Sequence, residues 1–150
     1  MADRVGRGGG AARGAKPAGA AGTFTGAVKD SSGLYEVERR ARHAERTGFR
    51  ITELQIGPRQ QVPWHYHTRI RDTFYVLEGR LRLFLRNPKA EVLLGTGETY
   101  VVRAGRPHLV TNGGDTSAVF LVLQGIGEYD YVSLVTPRKR GGRRGPPRSR

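Results

Sequence analysis

Hydrophobic and polar residues alternate along several short stretches of this 150-residue chain. In RITELQIG (50–57), the side chains of Ile51, Glu53 and Gln55 would lie on one face of a strand, and those of Thr52, Leu54 and Ile56 on the other. In RLRLFLR (80–86), leucines at alternate positions face one way and arginines face the other. A period of two along such segments indicates β-strands with one buried face.

Further short runs rich in β-branched and aromatic residues predict strands at TFYVLEG (73–79), TYVV (99–102), PHLVTN (107–112) and SAVFLVLQG (117–125). Glycine-containing turns separate these runs, and the sequence Glu78-Gly79-Arg80 predicts a hairpin turn between two of them. Many short strands with regular turns predict an all-β sandwich or barrel. The charged segment YEVERRARHAERTG (35–48) fits either a helix or an edge strand.

The two ends of the chain differ in composition from the rest. Residues 1–22 are mostly Gly and Ala with scattered basic residues, and residues 137–150 contain no large apolar side chain. Such segments cannot bury enough apolar surface to offset the entropy lost on ordering, so we predict disordered basic tails around one folded domain at 23–136. The tails carry +3 and +7 of the net charge of +13, which leaves +3 on the domain.

The concentration of charge in the tails permits two interpretations. An Arg- and Gly-rich tail can follow a nucleic-acid backbone electrostatically. Alternatively, the tails are solvated and have no specific partner, which the lack of a base-stacking aromatic residue in either basic stretch favours. We therefore expect no association with nucleic acid except through the tails.

The chain contains no cysteine, so disulfides and thiolate ligands are excluded, and any metal site must use histidine and carboxylate. No apolar run approaches the roughly 20 residues that span a bilayer, and the first 30 residues lack the apolar region of a secretory signal. We expect a soluble, cytoplasmic protein without a membrane partner. Of the four histidines, His43 lies among charged residues and is expected to be exposed.

Two histidines stand one residue apart in the stretch PWHYHTRIRD. On a strand, His65 and His67 would share one face, with Trp64 and Tyr66 on the other. Two imidazoles in this arrangement can converge on a single metal ion. The same spacing also occurs on solvated strand faces, so the pair alone does not decide between the two interpretations.

An acidic residue and a third histidine can complete a metal site. If the segment 68–71 is a turn, Asp72 begins the neighbouring strand and can face the histidine pair, while His108 follows a glycine-containing turn at the start of another strand. Three imidazoles and one carboxylate suit one divalent transition metal, Fe, Mn, Ni, Cu or Zn, and leave room for water or substrate. Alternatively, Asp72 caps the turn or pairs with Arg69, and the histidines line a polar cavity without a metal.

At these positions the sequence resembles the cupins, a family that carries two short motifs. The first motif combines Gly, His-x-His, an acidic residue and Gly, and reads GPRQQVPWHYHTRIRDTFYVLEG (57–79) in this chain. The second reads GETYVVRAGRPHLVTN (97–112), with His108 and Asn112 at the family positions. The 17-residue gap between the motifs is similar to that of small microbial cupins.

The resemblance implies a double-stranded β-helix (jelly-roll) barrel, with a metal held by His65, His67, Asp72 and His108. The sequence departs from the family pattern in a first spacer of seven residues rather than five, in Arg103 where Pro is usual, and in Asp72 where Glu is usual. Aspartate is one methylene shorter and reaches roughly 1.5 Å less far. Either the backbone shifts and brings the carboxylate within reach of the metal, or Asp72 binds the metal through a water molecule. Alternatively, Asp72 contacts the metal ligands rather than the metal, or acts as a base.

The resemblance also sets the range of functions, because cupins include dioxygenases, decarboxylases, isomerases and metal-free binding or sensing domains, and the fold does not choose among them. Our first hypothesis is a metal-dependent enzyme, an oxygenase-type, dioxygenase-like oxidoreductase that acts on a small carbonyl-containing or phenolic molecule. A non-catalytic ligand-binding or sensing cupin is the second, and tail-mediated association with nucleic acid is the third. The side chains expected to line the cavity and contact the small molecule are Phe74, Val76, Val110 and Phe120.

Three further expectations concern the surroundings of the barrel. Small cupins often form homodimers through their sheet edges, and the segment before the barrel could supply an exchanged strand. Trp64, on the face opposite the ligands, is expected to pack on the outside of the barrel or at an interface. Asn112 is expected to hold a turn, and Glu78 to be exposed at one.

Overall fold

The computed structural model describes residues 27–135, which form ten β-strands. The strands are β1 (Arg39–Arg46), β2 (Phe49–Ile56), β3 (Gln61–Tyr66), β4 (Arg71–Glu78), β5 (Leu81–Leu85), β6 (Ala90–Leu94), β7 (Thr99–Val102), β8 (His108–Asn112), β9 (Ala118–Gly125) and β10 (Val132–Ser133). These residues contain no helix that is long and apolar enough to cross a membrane. The tails predicted at 1–22 and 137–150 lie outside the described residues.

The strands form two five-stranded antiparallel sheets, ordered β1-β2-β9-β4-β7 and β10-β3-β8-β5-β6. Only the connections β1–β2 and β5–β6 stay within one sheet, and every other connection passes from one sheet to the other. Both sheets contribute side chains to one buried hydrophobic cluster. This architecture confirms the all-β fold that the alternating pattern predicts.

The predicted alternation agrees with the observed burial of the side chains. In β2, the side chains of Thr52, Leu54 and Ile56 are buried, and their sequence neighbours are only partly covered. In β5, the three leucines at alternate positions are at most 1% exposed. Burial of one face of each sheet against the other supplies the hydrophobic stabilisation of the domain.

The hairpin predicted at Glu78-Gly79-Arg80 is wrong. Strand β4 pairs with β7 and β9 in one sheet, whereas β5 pairs with β6 and β8 in the other. Gly79 adopts a φ of +73° where the chain crosses between the sheets. Because strands on both sides of the crossing have the same period of two, the alternation could not distinguish a hairpin from a crossover.

The segment 35–48, for which a helix and an edge strand both remained open, contains the edge strand β1. β1 pairs only with β2, with a register shift between Arg42 and Ala44. Its residues are all exposed or partly buried. A charged edge strand with an irregular register opposes pairing with other chains, since edges otherwise offer free backbone groups.

Replacement of Gly79 by alanine is expected to destabilise the domain by more than about 2 kcal/mol. A left-handed φ costs a residue with a side chain roughly 1–2 kcal/mol, and a Cβ at this position would lie 2.7 Å from the carbonyl oxygen of Ser117. Gly97→Ala is the matched control, because its φ is +83° and a Cβ there meets nothing within 4 Å. Urea denaturation of both variants measures the difference, and equal losses would show that the backbone contact at Gly79 is unimportant.

Candidate functional site

The three predicted histidines meet inside the barrel. His65 lies in β3 and His67 follows the end of that strand, while His108 begins β8. The pairing of β3 with β8 places His65 directly opposite His108, and the centroids of these two rings are 4.2 Å apart. Each of the three residues is at most 3% exposed. The antiparallel register thus brings the two motifs, distant along the chain, to one place.

Asp72 approaches the histidines from the other sheet. As predicted, it lies at the start of the strand that follows the histidine strand and faces the histidines, and this strand, β4, belongs to the opposite sheet. Its Oδ2 is 3.0 Å from Nε2 of His67 and 3.1 Å from Nε2 of His108. The possible metal-ligating atoms of His65, His67, Asp72 and His108, one from each residue, all lie within 4.8 Å of one another.

The predicted alternative, in which Asp72 pairs with Arg69, does not occur. Arg69 forms an ion pair with Glu128 at 3.3 Å on the surface, whereas Asp72 is only 2% exposed. The other oxygen of Asp72, Oδ1, accepts a hydrogen bond of 2.9 Å from Nε2 of Gln124. The carboxylate therefore points into the barrel and is held there from behind.

Backbone carbonyl groups determine which ring nitrogen of each histidine carries a proton. Nδ1 of His65 lies 2.7 Å from the oxygen of Pro63, Nδ1 of His108 lies 2.9 Å from that of Arg106, and Nδ1 of His67 contacts that of Asp130. A carbonyl oxygen can only accept, so each Nδ1 donates its proton. In the neutral rings Nε2 is then the atom with the free lone pair, which is the arrangement found in metal-ligating histidines.

The electrostatics of the cluster favour a bound cation. Burial works against a charged ring, but the Asp72 carboxylate and its hydrogen bond outweigh burial and raise the pKa of His67. Burial, together with the nearby rings of His108 and His67, lowers the pKa of His65 well below its ordinary value. Burial alone would raise the pKa of Asp72, but the two histidines hold it well below its usual range. The carboxylate stays charged, so it requires either a protonated ring or a metal beside it.

The donor set fits a divalent transition metal. Two donor atoms that each lie about 2.1 Å from an ion, at a right angle, are about 3.0 Å apart, and the two Asp72–histidine separations are 3.0 and 3.1 Å. The shorter side chain of Asp72 thus reaches the histidines in spite of its missing methylene. His65, His67, Asp72 and His108 are the residues that could hold such an ion.

Two residues that the sequence analysis missed support the cluster. Asp130 accepts hydrogen bonds from the backbone N–H and the hydroxyl of Thr68 at 2.8 and 2.7 Å, and this clamp holds its carbonyl group against His67. Gln124 orients Asp72. Gln124 could have been found, because it is a polar residue on the inward face of the otherwise apolar strand β9, whereas no pattern in the sequence connects Asp130 to His67.

A cavity of about 40 Å³ opens beside the cluster. Of the four residues predicted to line it, Phe74, Val110 and Phe120 do so, whereas Val76 is buried in the core and is not part of the lining. Space for about three water molecules, at 10–15 Å³ each, suits a molecule of only a few non-hydrogen atoms. Tyr131, which the sequence pattern did not predict, also lines the cavity and stacks on His65 with ring centroids 4.3 Å apart.

The remaining predicted residues lie away from the cavity. His43 is exposed and contacts Glu53 at 2.6 Å, and Glu78 is also exposed. Trp64 lies outside, with the guanidinium of Arg86 4.1 Å from its ring centroid. Asn112 holds the β8–β9 turn, since it donates to the carbonyl of Thr116 at 2.7 Å and accepts from the N–H of Gly114 at 2.8 Å. The positions and contacts of these residues are therefore explained without a bound ligand.

Comparisons with known proteins agree with this geometry. The family model described as "Cupin domain" matches residues 52–124, and no curated protein matches the sequence. A double-stranded β-helix protein from Klebsiella pneumoniae subsp. pneumoniae MGH 78578 has a similar structure, with 20% identity, a TM-score of 0.56, and coverage of 63% of this chain and 83% of that one.

Two enzymes also have a similar fold. An oxalate oxidase is 24% identical with a TM-score of 0.54, over 58% of this chain and 46% of that chain. The oxalate decarboxylase of Lactobacillus farciminis, solved as a formate complex, is 20% identical with a TM-score of 0.54, over 59% of this chain and 27% of that chain. At these identities the likeness concerns the fold, and it confirms the predicted double-stranded β-helix. With both motifs present in sequence and in space, the chain is a member of the cupin superfamily.

Proposed function

We propose that this protein is a metal-dependent enzyme, an oxygenase-type oxidoreductase that acts on a small carbonyl-containing molecule. The observation that carries the proposal is the convergence of three buried imidazole rings and one buried carboxylate beside a small cavity. A divalent transition metal held there would supply Lewis-acid or redox chemistry to a substrate next to it. A cavity of about 40 Å³ favours a short carbonyl compound over a phenol.

The residues of the chain contribute the positioning that such chemistry requires. Gln124 and the Asp130 carbonyl hold Asp72 and His67 in one orientation, which reduces reorganisation when a ligand binds. Phe74, Val110 and Phe120 form an apolar part of the cavity wall, which would reduce the contact of a reacting molecule with water. The cupin fold accommodates the oxidase and the decarboxylase of oxalate named above, which is a precedent for small carbonyl substrates in such a barrel.

Replacement of His67 by alanine is expected to reduce the metal content of the purified protein to less than about one tenth of the wild-type value. The wild type should carry close to one equivalent of Fe, Mn, Ni, Cu or Zn, and loss of one buried ligand costs at least the roughly 10- to 100-fold in affinity seen for outer partners. His43→Ala is the matched control, because His43 is exposed and distant from the cluster. Elemental analysis of the three proteins measures the effect.

Turnover is tested separately from metal content. Oxygen consumption by the metal-loaded protein is followed with a panel of two- to four-carbon carbonyl compounds, and His67→Ala serves as the inactive reference. Metal-dependent uptake with one member of the panel supports the enzyme. Thermal stabilisation by a ligand without turnover would instead identify a sensing or binding cupin, and a wild type without any metal would overturn the proposal.

A further inference from the structure

Two hydrogen-bond donors without partners lie at the cavity that contains the histidine cluster. They are Nη2 of Arg40 and the hydroxyl group of Tyr131, and both atoms are shielded from solvent. Arg40, in the edge strand β1, and Tyr131, before β10, are far apart in the sequence but line the same cavity. Buried polar groups in folded proteins nearly always have partners. Two orphaned donors at one small cavity therefore indicate a ligand that supplies the acceptors.

The other arginines at this cavity already have partners. Arg42 forms an ion pair with Glu45 at 2.9 Å, and Arg50 pairs with the same carboxylate at 3.3 Å. The guanidinium of Arg50 also lies 3.7 Å from the ring centroid of Tyr129. The guanidinium carbon of Arg40 lies 4.9 Å from the ring centroid of Tyr35, a cation–π contact that leaves the in-plane N–H groups without an acceptor. Among the described residues that line the cavity, Arg40 is thus the arginine with a buried N–H group that lacks a partner.

Tyr131 supplies a neutral donor at the same place. A tyrosine hydroxyl has an ordinary pKa of about 10, so it carries its proton at neutral pH. The ring is 2% exposed and is held by stacking on His65, with an interplanar angle of 14°. The hydroxyl can donate one hydrogen bond to a ligand oxygen.

We infer that Arg40 and Tyr131 form a subsite for the carboxylate group of a small organic acid. One cationic and one neutral donor satisfy the two oxygens of a carboxylate, and charge-assisted bonds of this kind are the strong ones. The inference rests on the proposed function in one respect, since it names the substrate of that site as a carboxylic acid of two or three carbons. Phe74, Val110 and Phe120 would contact its carbon chain.

The size of the cavity and the number of donors argue for a carboxylate among the possible anions. A phosphate or sulfate has four oxygens around one centre and would leave acceptors without partners, because only two orphaned donors are present among the described lining residues. The small volume of the cavity, about 40 Å³, also favours a short acid. Acetate and propionate should therefore bind, whereas butyrate and inorganic phosphate should bind at least about tenfold more weakly.

Calorimetric titration of the full chain with acetate and with acetamide, its neutral isostere, tests the inference. Acetate should bind at least about tenfold more tightly than acetamide, because a charge-assisted hydrogen bond contributes roughly a factor of ten or more. Arg40→Gln should abolish the preference for acetate, whereas Arg42→Gln, which removes a paired arginine at the same cavity, should leave it in place. Equal affinities of the wild type for acetate and acetamide, or no acetate binding at all, would overturn the inference.

Tyr131→Phe keeps the ring and removes only the orphaned hydroxyl group. We expect acetate affinity to fall about threefold to tenfold while the melting temperature of the free protein stays equal or rises, because an unpartnered buried hydroxyl is unfavourable without ligand. A merely structural role would lower both quantities together and contradict the inference. Each titration is done before and after metal loading. Acetate binding without any metal uptake would leave the subsite standing and remove the proposed function.

Discussion

Asp72→Asn is expected to lower the affinity for a divalent metal by at least about 100-fold while the metal-free protein remains fully folded. The loss follows because the substitution removes the anionic ligand of the cluster, and changes to outer partners alone cost about 10- to 100-fold. Stability is retained because an asparagine fits the same hydrogen bonds. Its oxygen can accept from Gln124, and its amide nitrogen can donate to the two Nε2 atoms that now lie 3.0 and 3.1 Å from Oδ2.

The same substitution should change how stability depends on pH. In the metal-free wild type the pKa of His67 is raised by Asp72, although burial opposes this. A raised pKa in the folded state contributes stability that is fully present below about pH 6.5, the unfolded value, and is lost as the pH rises through the folded value. An asparagine that donates to Nε2 favours the neutral ring instead. The melting temperature of Asp72→Asn relative to wild type should therefore increase from pH 6 upward.

Zinc titration against a chelator measures the affinity, and thermal melts after metal removal measure the pH dependence. Asp115→Asn is the matched control, because Asp115 is exposed in the β8–β9 turn and should change neither quantity. Zinc binding by Asp72→Asn as tight as wild type would show that the three histidines are sufficient and that Asp72 is not a ligand. A large loss of stability at every pH would contradict the hydrogen-bond arrangement.

The sequence predicted the centre of the site because the motifs encode it locally. His65 and His67 occupy alternate positions at the end of one strand, and His108 starts another, so correct pairing of β3 with β8 is enough to bring them together. The reach of Asp72 could not be predicted, because it depends on the distance between the two sheets. That distance is set by side chains throughout the core rather than by the motif.

The fold was predicted as a class but not in its connections. A period of two reports which face of a strand is buried, and it carries no information about which strand lies beside it. For this reason the runs that became β4 and β5 were assigned to one hairpin although they belong to different sheets. Strand β6 (Ala90–Leu94) was not predicted, since as an edge strand it has a weakly alternating pattern with only Leu94 fully buried.

The surroundings of the site were largely beyond sequence reasoning. Tyr131 and Asp130 reach the cluster through β10, a strand of two residues that follows a charged segment. Arg40 lies in β1, where the charged composition favoured exposure, and its guanidinium is nevertheless turned inward. Such contacts arise from tertiary packing of the edge strands. They determine what the site can recognise, while the motifs determine only what it can coordinate.

Phe120→Ala is expected to destabilise the domain by about 3–5 kcal/mol, the usual cost of removing a buried phenylalanine ring. Phe120 is fully buried in the central strand β9, lies opposite Leu54 and Val76 in the two neighbouring strands, and has its ring centroid 6.1 Å from that of Phe74. The melting temperature should fall by more than about 12 °C, at roughly 4–8 °C per kcal/mol for a domain near this size.

Phe49→Ala provides the matched control for this loss, because Phe49 lies in β2 but is 38% exposed and should cost about 1 kcal/mol or less. Since Phe120 also lines the cavity, its removal should enlarge the space beside the histidine cluster and permit a longer carboxylic acid, such as butyrate, to bind. Stability is measured by thermal and urea denaturation, and the change in preferred acid length by calorimetry. A Phe120→Ala variant with near wild-type stability would show that the two sheets are not packed through this ring. A destabilised variant with an unchanged preference for acid length would instead place the bound carbon chain against Phe74 and Val110 alone.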